Sequence, residues 1–147
     1  MRKEIIKYTD WNGTPREETF YFNLTRTECI RLHSDTPGGL GEVLDRIVKA
    51  NDAGTIRATF EDLLGRSYGV KSEDGRRLIK GKNGEMFQAF TESMAYDELI
   101  VKLISEPGYA ADFFNDVIPV EQIKDLVDKI DRNAAQLTAA GQITQAK

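Results

Sequence analysis

The chain has 147 residues, 40% of them hydrophobic and 30% charged, the composition of one globular domain with an ordinary core and not of a disordered chain. A single cysteine, Cys29, excludes an internal disulfide and a thiolate-rich zinc site. The net charge of −4 has the wrong sign for long-range attraction to nucleic acid or anionic lipid, and no apolar run approaches the ~20 residues of a membrane span.

The N-terminus, Met1-Arg2-Lys3-Glu4, leads straight into strand-like residues without the apolar stretch of a signal peptide, so a cytoplasmic site is expected. Lys3 to Leu24 reads as a β-hairpin, because two β-prone segments flank Asn12-Gly13, a pair suited to a type I′ turn. A two-residue turn there sets Trp11 opposite Thr14, Lys7 opposite Glu18 and Ile5 opposite Phe20. Ile5, Phe20 and Phe22 then share one face, and Ile6, Tyr8 and Tyr21 the other.

A first helix begins at Thr25, which can cap it while Glu28 reaches back and Leu24 staples onto Cys29. Ser34 to Gly39 is a connector. A second helix carries Leu40, Val43, Leu44, Ile47 and Val48 at the spacing of a buried stripe, ending at Asn51 to Gly54. A third repeats the periodicity through Ile56, Phe60, Leu63 and Leu64, with Thr55 as cap and Gly69 taking a left-handed closing conformation after Tyr68.

From Val70 to Gly84, three glycines among many charges predict a mobile loop, with at most one short ordered piece. Met86, Phe87 and Phe90 form the edge of a short helix, and Tyr96, Leu99, Ile100, Leu103 and Ile104 the stripe of another, closed by Pro107. Tyr109 to Ile118 is again helical until Pro119 interrupts it. A last helix has a seam of Val120, Ile123, Leu126, Val127 and Ile130. The fold expected is mostly α (α+β): residues 3–24 a β-hairpin, 25–137 a compact bundle of about six short helices, 1–137 a single domain, and 138–147 a flexible C-terminal tail too poor in apolar residues to offset its ordering entropy. There is no internal repeat.

Chemical sites fare poorly. Cys29 and His33 stand four residues apart, but a metal or nucleophilic site needs further ligands or an orienting group, so a buried structural cysteine and a surface histidine are expected. Pro37 to Glu42 lacks the lysine and hydroxyl of a phosphate loop, and Gly81-Lys82-Asn83-Gly84 has no second half. The carboxylates Asp112 and Asp116, and Asp125, Asp128 and Asp131, read as solvated helix faces. Arg76, Arg77, Lys80 and Lys82 form the one basic concentration, without the interleaved aromatics of a nucleic-acid surface. No catalytic, cofactor-binding or metal residue is assigned.

Tyr109, Phe113, Phe114, Val117 and Ile118 are the candidate protein-binding residues. They concentrate aromatic area in a short helix between two prolines. Adjacent Phe side chains point about 100° apart, so two readings stay open: the whole group is core, the weightier one, or one ring faces a partner while the others pack inward.

Phe20-Tyr21-Phe22-Asn23-Leu24-Thr25 after a hairpin, Ser67-Tyr68-Gly69, Asp74-Gly75-Arg76-Arg77, and Asp112-Phe113-Phe114-Asn115-Asp116-Val117-Ile118-Pro119 together resemble the tail assembly chaperones of long-tailed bacteriophages and prophages. The resemblance spans roughly Lys3 to Pro119 and leaves the last helix and tail uncovered. It implies a protein absent from the mature virion, made in the bacterial host cytoplasm, that coats the apolar helices of the tape measure protein and keeps them soluble until tail tube subunits polymerise. It also implies two lengths of product, the longer arising by frameshifting, of which this chain looks like the shorter. The tail tube protein and self-association stay open as further contacts, and no residue roles carry over. The alternatives are a structural tail or connector component of the virion and a small DNA-associated regulator.

Overall fold

A computed structural model describes residues 1–49 and 52–139. Among them the chain runs β1 (Arg2–Thr9), β2 (Pro15–Phe22), α1 (Arg26–Asp35), α2 (Gly39–Lys49), α3 (Ala53–Ser67), β3 (Tyr68–Lys71), β4 (Leu78–Ile79), a 3-10 turn over Lys82–Gly84, α4 (Glu85–Thr91), α5 (Met94–Ser105), α6 (Pro107–Val117) and α7 (Val120–Ala139). The expected class holds, mostly helical behind an N-terminal hairpin, with seven α-helices where about six were expected.

The hairpin forms one residue out of the expected register. Ile5 faces Thr19, Lys7 faces Glu17 and Thr9 faces Pro15. The turn explains the slip: the Asp10 carboxylate accepts the Asn12 and Thr14 amides, each at 2.9 Å, and the Gly13 amide donates to the Asp10 carbonyl at 2.9 Å. Trp11-Asn12-Gly13 is therefore a three-residue loop in which Gly13 alone is left-handed, at φ 80°, the arrangement favoured by Asp at the start of a type I turn. Because side chains alternate, the slip moves Ile5 to the outer face, where it is 65% exposed, and leaves Ile6 and Tyr8 on the inner face with Phe20 and Phe22.

Thr25 and Glu28 make the expected capping box of α1. In α2, Leu40 and Val43 are buried, but Val48 is exposed, since eight residues beyond Leu40 it has rotated about 80° around the helix. Asp52, not Thr55, caps α3: its carboxylate accepts the Thr55 amide at 3.0 Å and hydroxyl at 2.7 Å. Gly69 is not a left-handed helix end either. The chain passes from α3 directly into β3, where Gly69 pairs with Tyr21, and a Cβ there would lie 2.6 Å from Leu78 Cγ.

The expected mobile loop at 70–84 is likewise overturned. β3 and β4 extend the hairpin into a four-stranded sheet, order β1-β2-β3-β4. Polar contacts hold the segment in place of burial. Asp74 accepts from the Ser72 hydroxyl at 2.8 Å and the Arg76 amide at 3.1 Å, and Lys80 turns inward to the Asn23 and Arg66 carbonyls, each at 2.8 Å, and to Glu28 at 2.6 Å.

Pro107 does more than close α5; it opens α6 from its first turn, where the missing N–H costs nothing. One hydrophobic cluster draws on β1, β2, β3 and all seven helices. Phe22 sits at its centre, with ring centroids 5.1 Å from Phe113, 5.5 Å from Tyr68 and 6.0 Å from Phe90. α7 buries Ile123 and Val127 against this cluster, and Asp131 to Thr138 is exposed. Of the tail expected at 138–147, Thr138 lies within α7, and residues 140–147 fall outside the described residues.

Candidate protein-binding surface

The five candidate residues lie on α6 and at its end, and of the two readings of its phenylalanines the core one fits, since neither ring faces outward. Phe113, Phe114, Val117 and Ile118 are all buried, and only Tyr109 is partly open. α6 is wrapped on a wide arc. Phe113 packs against Phe22, while Phe114, turned about 100° away, meets Phe60 with centroids 5.0 Å apart. Two neighbouring rings can both be buried because different elements receive them.

Sequence reading missed the clamp on this helix. Arg2, at the start of β1, reaches Asp112 at 3.1 Å, Asp116 at 2.9 Å and Glu4 at 3.0 Å, with its guanidinium 5.2 Å from the Phe113 ring centre and 5.4 Å from that of Tyr109. Burial opposes its charge, yet the three carboxylates outweigh that and raise its pKa. The spacing of Asp112 and Asp116 was the available signal; its partner lies more than a hundred residues away in the chain. Burial, then Glu4, pushes the Tyr109 hydroxyl upward, and Lys102 Nζ lies 4.2 Å from the Tyr109 ring centre.

Tyr109 also lies at one end of a groove of about 450 Å³ between β1 and α5, walled by the Glu4 to Lys7 stretch on one side and by Glu98, Val101 and Lys102 on the other. Ile5 and Val101, 65% and 56% exposed, are its open aliphatic side chains, above the buried Ile6 and Leu99. Beyond the other end of β1, at the hairpin tip, Trp11 is 76% exposed while its indole N–H donates to the Glu92 carbonyl at 3.0 Å.

The remaining motifs have structural uses. Burial pushes the Cys29 thiol up to about 11, which keeps it protonated and unreactive. His33 is half-buried, not a surface residue: its Nδ1 accepts the Leu40 amide at 2.9 Å, which leaves Nε2 to donate to Asp131 at 3.2 Å. That imidazole fills the α2 N-terminus, where a phosphate loop would offer amides to an anion. Of the basic residues at 76–82, Lys80 is tied inward. Among the described residues no cluster of His, Cys, Asp and Glu could hold a metal, and no helix is long and apolar enough to cross a membrane.

The sequence profile of a family described as "Phage tail assembly chaperone" matches residues 1–146. The chain belongs to that family. The match carries this chaperone's family likeness past Pro119 and through α7, further than the motifs alone. Comparisons with curated proteins and with solved structures give no match.

Proposed function

We propose that this chaperone binds the tape measure protein and keeps it in solution until tail tube subunits polymerise around it, acting by binding and not by catalysis, in the host cytoplasm and not as part of the finished virion. The observation that carries the reading is the groove beside β1, where Ile5 and Val101 leave apolar area uncovered. Family membership supplies the setting. A groove this small gives modest affinity per copy, which suits later release, and several copies along one long client add up by multivalency.

Of Tyr109, Phe113, Phe114, Val117 and Ile118, Tyr109 alone reaches the groove; the other four hold α6 in the core behind it. Co-expression tests the proposal: the tape measure protein should stay in the soluble fraction with the chaperone and precipitate without it. If the client precipitates in both cases, the reading fails. Mass spectrometry of purified virions should find no copies; stoichiometric copies would instead make the chain a structural tail component.

A further inference from the structure

We propose that the outer edge of β1 takes up an extended segment of a partner protein as an added strand, and that this segment carries two acidic residues flanking an apolar one at alternate positions. The inference rests on the client-holding reading above and names the chemistry of the segment held.

The turn fixes which backbone groups are free. The Asp10 amide donates to the Thr14 carbonyl at 2.9 Å, so Tyr8, Ile6 and Glu4, at alternate positions, direct their amides and carbonyls at β2, and Lys3, Ile5 and Lys7 direct theirs outward. The sheet order leaves β1 with a strand on one side only. Beyond its ladder with β2, no backbone hydrogen bond engages Lys3, Ile5 or Lys7 among the described residues. α5 lies alongside but leaves the groove open, and the Glu4 to Lys7 stretch forms its wall.

Proteins usually shield such an edge with proline, a bulge or a covering element. β1 runs eight residues in unbroken register, with α5 packed beside it but neither proline nor bulge within it, and with lysines at two of its outward positions. Lys3 has no ion-pair partner among the described residues, and Lys7 reaches only Glu17, at 4.0 Å with both side chains exposed. A second copy paired antiparallel through Ile5 would set Lys3 against Lys7 twice, like charge directly opposite like charge. The same lysines attract a strand with acids at those two positions and an apolar residue over Ile5.

The probe is a capped peptide centred on Glu-Thr-Val-Thr-Glu, compared with its Lys-Thr-Val-Thr-Lys counterpart, each added to the full chain while amide hydrogen exchange is followed by NMR. At ten times its dissociation constant the acidic peptide should slow exchange at Lys3, Ile5 and Lys7 about tenfold, leaving Glu4, Ile6 and Tyr8 unchanged. The lysine peptide should bind about tenfold more weakly. Ile5→Pro removes an outward N–H without touching the β2 ladder and should abolish the effect; Lys3→Glu with Lys7→Glu, which leaves the backbone alone, should reverse the peptide preference. The proposal is overturned if neither peptide at millimolar concentration slows the three amides, if both act equally, or if they slow with protein concentration alone, which would make a second copy the occupant. Loss of client solubilisation with peptide binding intact would sink the tape measure reading and leave this one standing.

Discussion

Lys80 shows how a residue's role can be invisible in its own neighbourhood. In sequence it belongs to a run of cations among glycines; folded, its ammonium joins α1, the end of β2 and the end of α3 through Glu28, Asn23 and Arg66. Burial works against the Glu28 charge, but Lys80 and the Thr25 cap outweigh it, so the carboxyl sits below its ordinary 4.5. A carboxyl held low in the folded state contributes stability that is complete above pH 4.5 and lost as pH falls through the lowered value. Lys80→Met should therefore cost about 2 kcal/mol at neutral pH, and its deficit against the unmodified chain should shrink on acidification, as paired denaturation curves at pH 7 and pH 3.5 would reveal. Cys29 gives a simpler test: buried and protonated, it should resist a maleimide under native conditions and label at once in denaturant.

Elements were legible where the cues were local. The capping box at Thr25 and Glu28 and the periodicity of α3, α5 and α7 belong to segments of a few turns, and they formed. The hairpin was legible as a hairpin but not in register, because Asn12-Gly13 fits a two-residue turn until Asp10 is seen to collect the Asn12 and Thr14 amides. Asp10→Ala should remove those two contacts together with the ion pair to Arg16 at 2.6 Å and loosen the turn, measurable as a lower melting temperature. The surroundings of α6 were not legible at all, since its burial depends on α3, β1 and β2 meeting around it. Phe113→Ala and Phe114→Ala should each cost about 3–5 kcal/mol. A mild loss for either would mean that its ring is less enclosed than the packing against Phe22 and Phe60 indicates.

At the scale of the molecule, one cluster from Ile6 to Val127 gathers the buried hydrophobic residues, while the second half of α7 leaves it. The charged row of Asp125, Asp128 and Asp131 reads as a solvated face, and it is one; the sequence pattern could not say where α7 parts from the body, because Ile130 continues the same seam as Ile123 and Val127. We propose that residues 1–137 fold as one unit whose stability resides in the part up to Ile130. A helix end without tertiary contacts opens more readily than a packed one, so limited proteolysis should cut first between Arg132 and Thr138, before any site in β1 to α6. Truncation after Arg132 keeps Asp131 beside His33 and removes only exposed residues among those described, so the melting temperature should stay within about 2 °C of the full chain. If that variant still solubilises the tape measure protein, the surface beside β1 suffices; if it folds but loses the client, the outer half of α7 belongs to the binding surface as well.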